Sequence, residues 1–296
     1  MEFAHTTVLL QESIDYLNCR PGKIYVDCTL GGGGHTRAIL EAIGPTGKVV
    51  AIDQDQEALQ AAKEKLADYS EQLIFINNNF GNLSLVLEEL AIKQVAGIMF
   101  DLGVSSYQLD NPERGFSYQH NAPLDMRMDI EQETTAADLV NNLTVEEIGR
   151  IIWQYGEERW SKRIAQFIGE ARNRKPLETT GELVEVIKAA IPAGARRQGP
   201  HPAKRTFQAL RIAVNDELEV FRKAIKAGIP YLEEGGRMCV ISFHSLEDRI
   251  AKHTFRELKQ ERTVRVLTTK PILPSEQEVE GNPRARSAKL RAVERV

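Results

Sequence analysis

Four consecutive glycines, Gly31–Gly34, follow a short β-branched run, Ile24–Cys28, and lead into helical spacing near Thr36–Ile43. At such a corner glycine lets the backbone approach a ligand closely and tolerates positive φ. Asp53 closes a second β-branched run, Lys48–Ile52, about twenty residues further on, where a carboxylate can take both hydroxyls of a ribose. Asp101 closes another such run, Val95–Phe100. Taken singly, the glycines read as a tight turn and Asp53 as a helix N-cap. Together, at this spacing, they point to a cofactor built on ribose and adenine. A dinucleotide site requires G-x-G-x-x-G, and a phosphate loop ends in G-K-[ST]. Here Gly31-x-Gly33 leads to Thr36 without a third glycine. A cofactor lacking phosphates, S-adenosylmethionine, fits that departure better than NAD.

The elements that must carry these residues alternate through the first hundred positions. Between the second strand and Val95–Phe100, the segment Gln56–Tyr69 has helical spacing at Leu59, Ala62 and Leu66. Leu73–Ile76 then reads as a strand and Leu83–Leu90 as a helix. This alternation predicts βαβ units and an α/β fold with a parallel sheet covered on both faces. The ligand crevice of an open parallel sheet lies beyond the carboxyl ends of its strands. The glycines, Asp53 and Asp101 all fall there.

After Asp110 the pattern changes. Asn111–Asp129 is rich in turn formers, and Ala136–Ile191 shows helical periodicity only. Thr144 with Glu147 forms a capping box opening a helix to about Tyr155. Further helices are expected over Trp160–Asn173, Thr180–Ala190 and, after a loop punctuated by prolines and glycines, about Ala203–Ala227. Strand character returns at Arg237–Phe243, after a turn at Glu234-Gly235-Gly236. Pro271–Gly281 reads as a loop and Arg284–Arg295 as a basic segment. The domain expectation is therefore an α/β domain of residues 1–110 and 203–296, interrupted by a helical insert, 111–202.

Composition narrows the class. The chain has 296 residues, 42% of them hydrophobic, enough for one large domain or two. With 38 Lys+Arg against 42 Asp+Glu, the net charge of -4 excludes a globally basic nucleic-acid coat but not local patches. Mean hydropathy is -0.34. No apolar run approaches the ~20 residues of a membrane helix, and Met1–Leu10 lacks signal-peptide character, so no membrane partner is expected. Cys19, Cys28 and Cys239 are scattered, as reduced thiols of a cytoplasmic protein would be. His244 and His253 lack a companion cluster, so no metal is expected. Ser242–Arg249 reads as a strand–helix corner capped by Ser245.

Three blocks of sequence carry a family resemblance. Asp27-Cys28-Thr29-Leu30-Gly31-Gly32-Gly33-Gly34-His35-Thr36, Asp101-Leu102-Gly103-Val104-Ser105-Ser106-Tyr107-Gln108-Leu109-Asp110 and Phe243-His244-Ser245-Leu246-Glu247-Asp248-Arg249 resemble the ribosomal small-subunit methyltransferase H family. His5-Thr6-Thr7-Val8-Leu9-Leu10, Arg114-Gly115-Phe116-Ser117 and the stretch from Asn282 to Arg291 match it as well, so the resemblance runs nearly the full length. Thr6-Thr7 departs from the Pro that many members place before the Val. The resemblance implies a Rossmann-like class I S-adenosylmethionine-dependent methyltransferase with an inserted all-helical substrate-recognition domain. It implies methyl transfer to the exocyclic N4 of one cytosine, conventionally C1402, in the 16S rRNA of the 30S subunit. Cofactor contacts carry over to Gly33, Gly34, His35, Asp53, Phe80, Asp101 and Gln108. Asp53 would hold the ribose hydroxyls, Phe80 would pack by the adenine, and the amides of Gly33, Gly34 and His35 would meet the methionine portion.

Cytosine N4 is a weak nucleophile because its lone pair is delocalised into the ring. The enzyme must therefore align nitrogen, methyl and sulfur within ~3–3.5 Å and accept hydrogen bonds from the N4 hydrogens. Asp101-Leu102-Gly103-Val104 sits where amino-methyltransferases place a [DNS]-P-P-[YFW] motif, a similarity of location only. Asp101, the candidate catalytic residue, either accepts from the amine or contacts the cofactor alone. For RNA, the acid-free run holding Arg196, Arg197, Lys204, Arg205 and Arg211 suits phosphate contacts, and the C-terminal basic segment adds to it. A solvated helix face is the plainer account of such a run. Trp153, Tyr155 and Trp160 either stack bases or form the insert's core. Methylation of DNA or adenine, and a non-catalytic RNA-binding assembly role, remain as alternatives; the oligomeric state, monomer or homodimer, is open.

Overall fold

In the structure, a computed structural model that describes residues 7–197 and 199–296, adjacent residues of one strand serve two cores. Val49 and Ala51 join one apolar cluster, and Val50 and Ile52 join the other. This period of two, with both sets apolar, is what a strand buried on both faces requires. His5 and Thr6 of the N-terminal motif lie outside the described residues.

The chain divides into two units, Met1–Ser105 with Leu218–Val296, and Ser106–Glu217. The first begins with α1 (Leu10–Leu17), β1 (Ile24–Asp27), α2 (Gly34–Ile43), β2 (Lys48–Asp53), α3 (Gln56–Lys65), β3 (Leu73–Asn77), α4 (Leu83–Glu89) and β4 (Val95–Asp101). The second holds α5 (Ser106–Asp110), α6 (Ala136–Asn142), α7 (Val145–Gly156), α8 (Ser161–Arg172), α9 (Thr180–Ala190), α10 (Ala193–Arg196) and α11 (Lys204–Asn215). The first unit then continues with α12 (Glu217–Gly228), β5 (Leu232–Ser242), α13 (Ser245–Gln260), β6 (Val264–Val266), α14 (Glu276–Gly281) and β7 (Lys289–Arg295).

The sheet order is β3-β2-β1-β4-β5-β7-β6. The first five strands are parallel, and β7 runs antiparallel between β5 and β6. One face is covered by α1, α2 and α3 through Leu17, Ile39, Leu40, Ile43 and Leu59. The other is covered by α4, α12 and α13 through Leu83, Val86, Phe221, Ile225 and Phe255. This is the expected mixed α/β architecture, and its order reverses beside β1, which has β2 on one side and β4 on the other.

Within Ser106–Glu217 the described residues form helices without a strand. Capping boxes at Thr135/Asp138, Thr144/Glu147 and Thr179/Glu182 open α6, α7 and α9. Only the second of these was apparent in the sequence. The turn-rich stretch Asn111–Asp129 is held from inside. Buried Arg114 donates to the Arg127 and Met128 carbonyls at 3.0 Å each, and Asn215 exchanges 2.8 Å hydrogen bonds with the Met126 carbonyl and the Met128 amide.

Several expectations are corrected. The unit boundaries fall after Ser105 and Glu217, not after 110 and 202. The helix expected over Ala203–Ala227 breaks at Asp216, which adopts left-handed geometry (φ 46°) and ends α11. Its hydrophobic period continues across the break, so the sequence conceals it. The Glu234-Gly235-Gly236 turn is part of β5: Gly235 (φ 74°) lies where the pairing with β4 shifts register, a bulge that glycine permits. Helix α14 begins inside the segment read as a loop.

The basic C-terminal segment comprises a 3-10 turn, Pro283–Ser287, and strand β7, and two of its charges, Lys289 and Arg291, are engaged within the fold. Arg291, 8% exposed, bonds Asp248 of α13 at 2.7 Å, and Lys289 lies 3.5 Å from the same carboxylate. Removing one member of a largely buried pair strands the other charge. Arg291→Ala is therefore expected to lower stability by about 3 kcal/mol in urea titration, whereas a loss below ~1 kcal/mol would mark the pair as solvent-like.

Candidate active site

The carboxyl ends of β1, β2 and β4 deliver three aspartates, and the first turn of α13 delivers a glutamate, Glu247. Asp27 is fully buried, accepting from Thr36 Oγ1 at 2.7 Å and the Thr29 amide at 3.0 Å. Burial raises its pKa above the ordinary carboxylate value, against the pull of those bonds. Thr29 Oγ1 in turn accepts from the Asp101 amide at 2.6 Å, which ties the ends of β1 and β4 together.

Asp53 fastens the glycine loop to β2. Its Oδ2 accepts from the Gly31 amide at 2.8 Å and its Oδ1 from the Asp55 amide at 2.9 Å. Burial nonetheless pushes the carboxyl up to about 6. Each oxygen retains acceptor capacity for a further donor. Asp101 holds the opposite side. Its Oδ2 lies 3.5 Å from His35 Nδ1, while buried Oδ1 has no partner among the described residues. Burial, then Asp27 and Glu247, raise the Asp101 pKa well above the usual carboxylate range.

The four glycines have different tasks. Gly33, at φ 78°, lies so close to α3 that a Cβ would meet Leu66 at 2.9 Å, and a Cβ on Gly34 would collide with Thr7. A Cβ on Gly32 would have nothing within 4 Å. The Gly33 amide is spent on the Leu30 carbonyl at 2.7 Å. Gly34 and His35 are the first two residues of α2, where amides lack intrahelical acceptors.

The other expected residues are distributed as follows. Phe80 is half-buried in the turn after β3, its ring edge-on to Phe100 with centroids 5.6 Å apart. Gln108 is buried in α5 of the helical unit. Arg196 and Arg197 are exposed at the end of α10, and Lys204 and Arg205 are exposed where α11 opens. Arg205 also donates to the Glu157 carbonyl at 2.9 Å. Arg211 is held by Glu217 through two 2.8 Å bonds, so it stands apart from the exposed four. Near them in sequence, His201 stacks on Tyr118 with centroids 4.6 Å apart. Trp153 is 59% exposed rather than core, whereas Trp160 is half-buried.

Sequence reasoning missed Asp27, the His35 side chain and Glu247 as parts of this site. Asp27 carries a signal, a carboxylate ending an apolar strand just before the glycines. Glu247 is buried and accepts from the Phe243 and His244 amides at 2.8 and 3.2 Å. The N-cap of α13 is accordingly His244, not Ser245, which begins the helix.

These features suit a phosphate-free adenosyl cofactor: open space over Gly32, acceptor capacity on Asp53 and an orphaned oxygen on Asp101. The glycine assignments separate by substitution. Gly33→Ala, forced into left-handed geometry against Leu66, is expected to cost about 1–2 kcal/mol. Gly32→Ala should change stability by less than about 0.5 kcal/mol while weakening adenosylhomocysteine binding in calorimetry. Equal stability losses would contradict the division.

The family model for the MraW methylase family matches residues 2–296. A protein of Halothermothrix orenii named ribosomal RNA small subunit methyltransferase H is 54% identical over 307 aligned positions, covering 99% of this chain and 98% of that one. A protein of the same name from Clostridioides difficile is 51% identical over 311 positions, covering both chains fully. A solved structure of a candidate rRNA methylase from Clostridium thermocellum, 14% identical, shares the fold at TM-score 0.50, with 99% of this chain and all of that one covered. On the extent of these matches and the site built on β1, β2 and β4, this chain belongs to the MraW methylase family.

Proposed function

We propose that this chain is an S-adenosylmethionine-dependent methyltransferase that modifies the exocyclic N4 of a cytosine, conventionally C1402, in 16S rRNA of the small ribosomal subunit. The observation that carries the chemistry is Asp101 Oδ1, a buried acceptor without a partner among the described residues, at the carboxyl end of β4 beside the glycine loop. The substrate rests on the two full-length relatives, both named as methyltransferases of small-subunit ribosomal RNA. Such a substrate is met in the cytoplasm, as a 30S particle.

When bound, the cofactor supplies a methyl group already activated on a sulfonium. Asp53 takes the ribose hydroxyls on the acceptor positions left by the Gly31 and Asp55 amides. Gly34 and His35 offer helix-N-terminal amides to the methionine carboxylate. Gly33 shapes the loop rather than donating, since its amide is used by Leu30. Phe80, edge-on to Phe100, would pack beside the adenine. Asp101 accepts a hydrogen bond from the N4 amine, which turns the nitrogen lone pair away from the ring and toward the methyl group. The carboxylates of Asp27 and Glu247 add negative potential that favours a cationic donor over its neutral product.

The helical unit holds the flanking RNA in this reading. Arg196, Arg197, Lys204 and Arg205 neutralise phosphates, and the target base leaves its stack to be modified. Reaction with undermethylated 30S particles, followed by nucleoside mass spectrometry, is expected to yield N4-methylcytidine. Methyladenosine, a DNA product or no transfer would overturn the assignment. The double change Arg196→Glu with Arg197→Glu should weaken RNA binding, most at low salt, without altering cofactor binding.

Asp53 also predicts a pH dependence. Its raised carboxyl takes up a proton as pH falls through about 6, losing both charge and acceptor capacity. Adenosylhomocysteine affinity should therefore decline below that pH and be flat just above it, and Asp53→Asn should bind weakly without this acid limb. A wild-type affinity constant from pH 5 to 7.5 would exclude the diol contact.

A further inference from the structure

His35 is a buried imidazole, 4% exposed, that the proposed chemistry uses only through its backbone. Its Nε2 lies 3.1 Å from the Val8 carbonyl oxygen, and its Nδ1 lies 3.5 Å from Asp101 Oδ2. A carbonyl only accepts, so Nε2 must carry a hydrogen. The neutral tautomer therefore turns an unprotonated Nδ1 toward Asp101. Two lone pairs facing each other at this distance repel, and a proton shared between Nδ1 and Oδ2 turns that repulsion into attraction. The separation is at the outer edge of a hydrogen bond, and catalytic contacts of this kind tighten in the reacting complex.

We propose that His35 is a positioning residue for methyl transfer: it shares one proton with Asp101 Oδ2, turns Oδ1 toward the target amine, and stores the proton that the amine releases. The inference rests on the reading of Asp101 as the amine's acceptor. The balance is as follows. Once N4 has gained its methyl group and a positive charge, one N4–H bond breaks toward Oδ1 and its electron pair returns to nitrogen. The Oδ2 proton passes to Nδ1. The amine ends neutral, Asp101 remains protonated once, now on Oδ1, and His35 becomes an imidazolium. Release of one proton to solvent resets the pair.

The charges around the pair support this route. Asp27 on β1 and Glu247 on α13 are the carboxylates acting on Asp101, and both favour an added positive charge. The pocket therefore experiences no net change, because the charge lost at sulfur reappears on nitrogen and then on the imidazole. Val8 fixes the tautomer from the segment before α1, which gives that motif residue a chemical task.

The test compares His35→Gln with Asp101→Asn in single-turnover methylation of 30S particles across pH. Glutamine can hydrogen-bond but cannot hold the extra proton, so transfer by His35→Gln should fall by ~10²-fold. Its acid limb, which in the wild type reports a second proton taken up by the pair, should weaken or vanish, because glutamine offers no site for that proton. Binding of adenosylhomocysteine should stay within a few-fold of wild type. An unchanged rate and pH profile in His35→Gln, with Asp101→Asn inactive, would overturn the relay and spare the Asp101 assignment. Full activity in Asp101→Asn would overturn both. Independently of any variant's folding, ¹⁵N-imidazole spectra of the wild-type protein should show His35 protonated at Nε2 throughout the working pH range; an unprotonated Nε2 would exclude the proposal.

Discussion

A carboxylate taken out of water must be compensated by donors that the fold itself provides, and this constraint governs the whole catalytic unit. Unpaired, such a group costs several kcal/mol, yet three aspartates are set at the ends of adjacent parallel strands. Asp27 is compensated by two threonines, and Asp53 by two backbone amides. Asp101 has only the His35 ring on one oxygen and no partner on the other among the described residues. The compensation is thus graded from complete at Asp27 to incomplete at Asp101. Incomplete compensation is affordable only where a substrate will finish it, which is why the least satisfied carboxylate is the one assigned to the reaction.

The same hydrogen bonds shape the loop that carries the cofactor contacts. Asp53 restrains Gly31, Leu30 takes the Gly33 amide, and Gly33 packs on Leu66. A loop held at three points presents Gly32 and the first amides of α2 without further ordering on binding. Preorganisation of this kind lowers the entropic cost of association. The glycine run is therefore a corner restrained by hydrogen bonds and packing, with open space above Gly32, and not a flexible tether.

Much of this was legible because the relevant signals are local. The β-branched runs ending in Asp53 and Asp101, the glycines and the Thr144/Glu147 cap each depend on residues close in sequence. Reading failed where a distant partner decided the outcome. The β7 strand was disguised by Arg291, whose charge looks solvent-bound until Asp248 covers it. The break at Asp216 left no gap in hydrophobic period. Arg211 looked like one more cation of the phosphate-binding run until its bidentate bond to Glu217 withdrew it. Trp153, read as core at helical spacing, lies on the outer side of α7.

The sequence by itself determined the alternation of strands and helices, the position of the ligand crevice and the class of cofactor, because these follow from periodicity and from residue types a few positions apart. Its long motifs also carried the family. Only the tertiary structure decided which carboxylates are buried together and which of their oxygens is left unmatched. Val8, Asp27, His35, Asp101 and Glu247 span most of the chain, and their energies depend on separations that no linear spacing encodes. That is also why a histidine read as a backbone contact emerges as the proton partner of Asp101.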